Sequence, residues 1–504
     1  MGASRQRPGE SPGGRCRSLR HDESASFGDG DPQRRRQLTK GRFIAILVLL
    51  GCAAAVWAGC SRTRRPTARP NVIVILVDTL RADYLGCYGF AGDVSPHIDE
   101  FAARSVRFAN CSSQSPWTAP SVGSLFTSRY PFPVPQPGGQ FRISVLPEHH
   151  ETLAESLQNA GYETRAFVEN GLIIPQAGFS QGFDRYQQKR SASEPFNAFV
   201  KFFKWFESRK EDRPFFAYIH VMDVHGPYRY LEENFAAIAD SSSLGPEREL
   251  TATEIEERPG PIGTFVPWAD AAKGSQRRAW RGAYAAGIRL FDQKFGEQVE
   301  QLEAAGLFEN SLIIFTSDHG EQLLDHGGWG HGHNLHHYQT NVPLMVHYPP
   351  YTNEGKTIDE VVSLIDLTPT IAEICGLTAA EEWEGESLVD LLDGGTRSLL
   401  DGGTRSNQVA FATSIIGDPY IFSIRSRDRL LIYDGRERKS EMFDITLPSW
   451  QREDLASAEP ESAKKLGADL QNHIRRQRQQ DPAMGSLPMP EDMIDHVREL
   501  GYLK

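Results

Sequence analysis

The sequence is poor in cysteine. It has six among 504 residues, and three of these lie close to the N-terminus, at Cys16, Cys52 and Cys60. The other three are Cys87, Cys111 and Cys375, too few for a dense disulfide framework. Cys87 and Cys111 could pair in an oxidising compartment, but two small buried thiols are the interpretation we favour.

Positive charge is outnumbered by negative charge outside the N-terminal region. The formal net charge is −12, although residues 1–42 and 61–70 are both rich in Arg. The remaining chain is therefore strongly acidic. Nucleic acid is not expected as a partner, because binding to a phosphate backbone depends on clustered Lys and Arg.

Long apolar runs are also rare. Residues 43–60 form an uncharged apolar run that lies between two Arg-rich flanks. This length and flanking predict a transmembrane helix or a signal-anchor segment. The Ala58-Gly59-Cys60 end also suits a lipoprotein signal. We interpret residues 1–42 as a disordered basic arm and 61–70 as a linker. The rest of the protein is then membrane-anchored and extracytoplasmic, either periplasmic or on the cell surface.

Beyond the linker, strand and helix patterns alternate. Residues 71–77, NVIVILV, are continuously apolar and β-branched, as in a parallel strand buried on both faces. Helical stretches at 152–160 and 293–305 precede strand candidates at 162–168 and 311–316. This order predicts an α/β fold with a doubly wound, mostly parallel sheet and helices on both faces. We place the catalytic domain at 71–390, a duplicated LLDGGTRS loop at 391–406, and an α+β subdomain with a small antiparallel sheet at 407–504.

Two of the predicted strands end in acidic residues. Asp78 follows the first strand, and Asp318 and His319 follow strand 311–316. Ligands of open parallel sheets bind at the carboxyl ends of the strands, so these side chains are candidates for a metal site. Thr118 precedes Pro120 and Ser121, which suit a helix start. A hydroxyl there is either an ordinary N-cap or a group that meets a tetrahedral oxyanion at the positive end of the helix.

Ordered sequence blocks along nearly the whole body resemble the sulfatase-like family of the alkaline phosphatase superfamily. They are PNVIVILVDTLRADYLGCYG (70–89), SPHIDEFA (95–102), SPWTAPSVGSLFTSRYP (115–131), TLAESLQNAGYET (152–164), HVMDVHGPY (220–228), TSDHGE (316–321), WGHGHN (329–334), DLTPTIAEICGL (366–377) and RELGYL (498–503). The resemblance implies a metal-dependent hydrolase of sulfate or phosphate esters.

The family's nucleophile position falls on Thr118. Sulfatases carry Cys or Ser there, which is oxidised to formylglycine, and Thr cannot form that aldehyde. Val122 replaces the Arg of the sulfatase motif, and Thr79 replaces its second Asp. The resemblance is closer to Thr-nucleophile members, such as phosphoethanolamine transferases and lipoteichoic acid synthases. It implies a metal bound by Asp78, Thr118, Asp318 and His319.

The imidazole in this ligand set favours Zn²⁺ or Mn²⁺ over Ca²⁺, which prefers oxygen ligands. One ion is expected, and a second is an open alternative. By resemblance, His225 matches a substrate-contacting His, and His331 and His333 lie where relatives place a cationic or metal-binding group. His225 and His333 could protonate the leaving oxygen, or hold a second metal with Asp223. Glu321 could orient His319 or lie at the surface, and we expect His336 and His337 to be solvated.

We therefore expect a membrane-anchored ester hydrolase with Thr118 as nucleophile, which prefers phosphate to sulfate esters. Its substrate would be a small molecule, a glycan or a lipid headgroup. The alternatives are a sulfatase that works without formylglycine, a phosphoethanolamine- or phosphoglycerol-type headgroup transferase, and an inactive binding protein that kept the fold.

Overall fold

The predicted first strand lies at the centre of a large sheet in the computed structural model of the protein. This structure describes residues 69–131, 142–189, 194–210, 212–238, 241–245, 277–326, 329–350, 355–394, 409–414, 421–448, 452–480 and 485–488. The predicted arm, the apolar run 43–60, nearly all of the linker and most of the duplicated loop lie outside these residues. Within the described part of the chain, no helix has the length and apolar character needed to cross a membrane.

The strands of the described residues include those predicted at 71–77, 162–168 and 311–316. They are β1 (Asn71–Val77), β2 (Val106–Ser112), β3 (Arg142–Val145), β4 (Glu163–Val168), β5 (Arg185–Gln188), β6 (Phe215–Val221), β7 (Ser311–Thr316), β8 (Gln322–Leu323), β9 (Trp329–Gly330), β10 (Asn341–His347), β11 (Thr357–Ser363), β12 (Ala410–Ser414), β13 (Ile421–Arg425), β14 (Arg429–Asp434), β15 (Lys439–Asp444) and β16 (Gly485–Pro488).

The large sheet has eight strands, in the order β11-β2-β10-β7-β1-β6-β4-β5. β1 pairs in parallel with β6 on one side and with β7 on the other, and β6 pairs in parallel with β4. β10 runs antiparallel to both of its neighbours. The carboxyl ends of β1, β4, β6 and β7 therefore lie side by side at one edge of the sheet.

Helices cover both faces of this sheet. Those of the described residues are α1 (Pro96–Ala103), α2 (Thr118–Thr127), α3 (Leu153–Asn159), α4 (Ala198–Ser208), α5 (Glu232–Ile238), α6 (Arg277–Ala304), α7 (His337–Thr340), α8 (Leu367–Ile374), α9 (Val389–Leu392) and α10 (Pro460–Gln477).

Alternate residues of β1 belong to two separate hydrophobic cores. Val72, Val74 and Leu76 pack with residues of α2, α3 and α8. Ile73, Ile75 and Val77 pack with residues of α1, α4 and α6. Because successive side chains of a strand point to opposite faces, both faces of the sheet are buried. The doubly wound arrangement that the sequence predicts is confirmed.

The predicted C-terminal sheet is also confirmed. β12, β13, β14 and β15 form an antiparallel sheet in sequential order. One of its faces packs on the apolar side of α10, through Phe422, Leu431 and Met442 against Leu470 and Ile474.

Two local features refine the sequence-based predictions. The helix predicted at 293–305 begins earlier, at Arg277, because the apolar pattern of its first half faces the second core. Cys87, Cys111 and Cys375 are free thiols, and the last two are buried. The reading of Cys87 and Cys111 as separate thiols therefore holds.

Candidate active site

Asp78 is the first residue after β1 and is fully buried. The next residue, Thr79, has a φ of +59°, a left-handed conformation that costs a non-glycine residue roughly 1–3 kcal/mol. Two hydrogen bonds hold this turn. The Tyr284 hydroxyl donates to the Thr79 carbonyl at 2.7 Å, and the Thr79 N–H donates to Asp318 Oδ1 at 3.2 Å. The turn therefore ties the loop after β1 to the loop after β7.

Asp318 and His319 follow β7 at the same edge and are also fully buried. Asp318 Oδ1 accepts from the backbone N–H of Thr79 and of His319, and its Oδ2 lies 3.4 Å from His319 Nε2. His319 Nδ1 donates to the Gly320 carbonyl at 3.0 Å, so Nε2 carries the lone pair. A Cβ at Gly320 would lie 2.0 Å from the Tyr338 carbonyl oxygen, so this close approach requires glycine.

Thr118 is the first residue of α2 and is fully buried. Trp117 takes the N-cap position, and its side chain makes no capping hydrogen bond. The Thr118 hydroxyl is therefore not the N-cap that the alternative interpretation expects. Its Oγ1 lies 3.3 Å from His319 Nε2 and 3.5 Å from Asp78 Oδ2.

These residues fit a divalent metal ion. Asp78 Oδ1 and Asp318 Oδ2 are buried and have no hydrogen-bond partner among the described residues. Ligand atoms of Asp78, Asp318 and His319 all lie within 4.8 Å of one another. Two buried carboxylates facing one another without a cation would repel, and a metal removes that cost. The structure thus brings together all four residues of the predicted ligand set.

The two carboxyl groups differ in acidity. Burial raises the pKa of Asp78, but the hydrogen bond from His220 and the nearby His225 outweigh it and hold that pKa well below its usual range. Burial and the charge of Asp78 raise the pKa of Asp318. A bound cation would favour the charged form of both carboxyl groups.

Two residues that the sequence did not single out contact Asp78. The Asn170 side-chain amide donates to Asp78 Oδ2 at 2.7 Å and to Thr118 Oγ1 at 3.4 Å. His220, in β6, places Nε2 3.0 Å from the same Oδ2, while its Nδ1 meets the Tyr218 hydroxyl at 3.0 Å. Both contacts hold Oδ2 and direct Oδ1 to the metal position. The sequence offered one indication of the role of Asn170: it follows β4, whose carboxyl end lies at the same edge of the sheet as those of β1 and β7.

His225 and His331 lie beside the nucleophile position. Their ring centroids are 5.2 Å apart, and His331 is 4.5 Å from the His319 ring and 5.1 Å from the Trp117 ring. Glu321 Oε1 is 3.0 Å from His331 Nδ1. The role expected of Glu321 is thus corrected, since this buried carboxylate orients His331 rather than His319. Burial lowers the pKa of His331 to about 4 despite Glu321.

The remaining predicted residues lie elsewhere. His333 is exposed, whereas His331 is buried at the site. Asp223 contacts Lys294, and among the described residues it joins no second group of metal ligands. His336 and His337 are half-buried instead of solvated. Burial lowers the pKa of His336 to about 3, with His326 adding to the effect. Among the described residues, the geometry therefore provides one candidate metal position, formed by Asp78, Asp318 and His319.

A buried hydroxyl lies beside two buried carboxylates and a histidine that could hold a metal ion, at the carboxyl edge of a doubly wound sheet. Residues 70–377 match the Sulfatase family model, so the chain belongs to the sulfatase family of the alkaline phosphatase superfamily. Members of this superfamily are metal-dependent. Residues 326–480 match the model of the C-terminal part of N-sulphoglucosamine sulphohydrolase.

Relatives and solved structures agree with this assignment. An ulvan-active sulfatase of Formosa agariphila is 24% identical over 462 residues, which cover 83% of each chain. The structure of a protein in complex with its substrate D-glucosamine-2-N,6-O-disulfate has a TM-score of 0.64 and 18% identity, covering 82% of this chain and 99% of that one. A phosphonate monoester hydrolase of Agrobacterium radiobacter has a TM-score of 0.63 and 19% identity, covering 81% and 96%.

Proposed function

We propose that this protein is a metal-dependent phosphoester hydrolase with Thr118 as its nucleophile. The observation that carries the proposal is the position of Thr118 Oγ1, buried at the start of α2 between His319 Nε2 and Asp78 Oδ2. A hydroxyl at a helix N-terminus faces backbone N–H groups and the positive end of the helix dipole, which favour a tetrahedral anion.

Asp78, Asp318, His319 and Thr118 would hold the metal ion, which when bound lowers the pKa of the Thr118 hydroxyl and offsets negative charge on the ester. The Asn170 amide donates to Thr118 Oγ1, so it stabilises that oxygen as its proton leaves. The same amide and His220 hold Asp78 in place.

The reaction then takes two steps. Thr118 Oγ1 gives its proton to solvent and forms a bond to phosphorus, while the bond from phosphorus to the leaving oxygen breaks and that oxygen takes up a proton. Water next attacks phosphorus and the bond from phosphorus to Thr118 Oγ1 breaks; one proton of the water restores the Thr118 hydroxyl and its OH leaves with the phosphate. We assign His225 to protonation of the leaving oxygen, because its Nδ1 donates to the Gly226 carbonyl at 2.6 Å, which orients the ring beside His331 and the nucleophile position. His331 lies beside it to contact the ester oxygens.

The preference for phosphorus rests on the nucleophile. A hydrated formylglycine has two hydroxyl groups on one carbon, so one can attack while the other expels the sulfate. Thr118 has a single hydroxyl, so the transferred group leaves only when water attacks it. Enzyme hydroxyls turn over phosphoryl groups by this route.

The test is turnover of matched 4-nitrophenyl phosphate, bis(4-nitrophenyl) phosphate, 4-nitrophenyl phosphonate and 4-nitrophenyl sulfate. The substrates are supplied with Zn²⁺, Mn²⁺ and Ca²⁺ separately. We expect a phosphorus ester to be cleaved fastest. Faster cleavage of the sulfate ester than of every phosphorus ester would overturn the preference.

Sulfate ester hydrolysis without formylglycine is the second candidate. The family match and relatives such as the ulvan-active sulfatase favour it. The fold itself does not discriminate, because both a complex with a sulfated sugar and a phosphonate monoester hydrolase share it. The substrate panel above separates the two candidates.

We also propose that the enzyme is membrane-anchored through residues 43–60 and acts outside the cytoplasm on a small-molecule, glycan or lipid-headgroup ester. The apolar run between Arg-rich flanks supports this location. The full chain should fractionate with membranes, and a chain that starts at residue 61 should not. If the full chain is recovered as a cytoplasmic protein, the anchor is wrong.

A further inference from the structure

A cavity of about 390 Å³ lies between the segment that follows β1 and the segment that follows β15. Its wall includes Arg81, Arg281, Arg452, His337, Tyr84 and Tyr88. None of the metal-ligating residues lines it, so it is separate from the site around Thr118. Its volume is in the range of small-molecule binding sites.

Two of the arginines at this cavity are neutralised by carboxylates. Asp325 is buried and accepts from Arg81 at 2.8 Å and from Arg281 at 2.7 Å. Arg81 also pairs with Asp83 at 2.7 Å. Two guanidinium groups therefore share two carboxylates.

Two further arginines bind neutral groups instead. Arg452 donates to the carbonyl oxygens of Leu447 and Ile445, at 2.7 and 3.1 Å. Arg425 is fully buried and donates to the side-chain oxygens of Asn341 and Asn110, at 2.7 and 2.8 Å. Both asparagines line the cavity, as does Asp83. Arg425 therefore lies behind the cavity wall and Arg452 lies in it, and neither forms an ion pair with a carboxylate among the described residues, although Asp83 and Asp325 favour the charged form of Arg452.

These positive charges lower the pKa values of neighbouring basic groups. Burial lowers the pKa of Arg425 to about 10, and Arg452 adds to the effect. Burial and then Arg425, Arg452 and Arg81 hold the pKa of His337 well below its usual range. His337 Nδ1 is buried without a hydrogen-bond partner among the described residues. Arg425 is a buried guanidinium without a carboxylate ion pair among the described residues, and Arg452 is half-buried. A buried charge of this kind is costly, and an anion in the cavity would offset part of that cost.

We propose that this cavity binds a sulfate or phosphate group, either as the free oxyanion or on a small organic molecule. Guanidinium groups recognise tetrahedral oxyanions through paired N–H donors. The rings of Tyr84 and Tyr88 would supply the apolar wall for an organic part of the ligand.

The first test measures binding to the full chain by calorimetry after metal removal, at fixed ionic strength. The probes are inorganic phosphate, inorganic sulfate and glucose 6-phosphate, and the proteins are wild type and Arg452→Gln. Arg427→Gln is the matched control, because Arg427 is exposed and pairs with Asp359. We expect Arg452→Gln to weaken binding at least tenfold and Arg427→Gln to leave it unchanged. If glucose 6-phosphate binds more tightly than inorganic phosphate, the ligand is an organic phosphate or sulfate. If the two bind equally, the ligand is the free oxyanion.

The second test needs no variant. Crystals soaked in tungstate should show an anomalous peak in the cavity beside Arg452, in addition to any peak at Thr118. Unchanged oxyanion affinity in a folded Arg452→Gln protein, or the absence of a cavity peak, would overturn the proposal. Turnover by Arg452→Gln should match wild type, which separates this site from the catalytic one.

Discussion

Removal of the Thr118 hydroxyl should abolish turnover while leaving the fold intact. Thr118→Ala deletes a buried methyl, worth about 0.8–1 kcal/mol, and a hydroxyl whose contacts of 3.3 to 3.5 Å are long for hydrogen bonds. The loss of stability should therefore be about 1–2 kcal/mol. Loss of a nucleophile costs about a thousandfold or more in turnover, which corresponds to about 4 kcal/mol in the barrier.

Thr127→Ala is the matched control for this experiment. Thr127 is the last residue of the same helix, is fully buried, and donates to the Gly123 carbonyl at 2.8 Å. The same side-chain change is therefore made at similar burial but away from the metal ligands. We expect a similar loss of stability and nearly full activity. Thr118→Ser should keep measurable activity, because the oxygen remains.

The assay combines steady-state turnover of the best phosphorus ester with urea unfolding of each variant. If Thr118→Ala is as active as wild type, Thr118 is not the nucleophile. If Thr118→Ala and Thr127→Ala lose activity equally, the loss reports damage to α2 rather than chemistry. Thr118→Ser separates the contribution of the oxygen from that of the methyl.

The remaining predictions concern the metal, the contacts of Asp78 and one buried carboxyl far from the site. Chelation should abolish activity, and Zn²⁺ or Mn²⁺ should restore it better than Ca²⁺, because the proposed ligand set includes His319 Nε2. Strict Ca²⁺ dependence in a metal titration would contradict that ligand set. Asn170→Leu should lower metal affinity or turnover about 10- to 100-fold, because it removes the hydrogen bonds to Asp78 and Thr118. Asn197→Leu, at an exposed helix cap, is the control. Metal titration and kcat are measured for both variants, and an Asn170→Leu protein that behaves like wild type would contradict the prediction. Burial raises the pKa of Asp292, which caps α1 through the Ile98 N–H, to about 6. Its folded pKa lies above the unfolded one, so stability should fall by about 3 kcal/mol as pH rises from about 4 to 7, and Asp292→Asn should remove that fall. Urea unfolding of wild type and Asp292→Asn at pH 4.5 and 7 checks the direction of this change. If the difference in unfolding free energy between the two proteins is the same at both pH values, the prediction is wrong.

Local sequence patterns were sufficient to predict the class of the sheet, several of its strands and the candidate metal ligands. The apolar runs of β1 and β7 predicted buried strands, and Asp78 and Asp318 stand directly after them. The carboxyl ends of parallel strands meet at one edge, so two residues distant in sequence could be placed together without coordinates. The motif blocks then added Thr118 to Asp78, Asp318 and His319 as the fourth member of the candidate site.

The histidines could not be sorted in the same way. His331 and His333 are two residues apart in a glycine-rich loop, and no periodicity indicates which side chain turns inward. The fold buries His331 against His319 and Trp117 and leaves His333 exposed. Glu321, ten residues before His331 in the chain, holds the His331 side chain in this buried position through its contact with Nδ1.

Asn170 and His220 show the other limit of the sequence. Both contact Asp78 Oδ2. His220 belongs to β6, which pairs with β1, and Asn170 follows β4, which pairs with β6, although the two residues lie 142 and 92 positions from Asp78 in the chain. A strand pattern predicts which residues are buried, but not which buried polar side chain reaches a given carboxylate oxygen. That depends on strand order and register, and these follow from the packing of the whole sheet. The ligand types were thus readable from local pattern, whereas their hydrogen-bond partners were decided by tertiary structure, because contacts across a sheet leave no periodic trace along the chain.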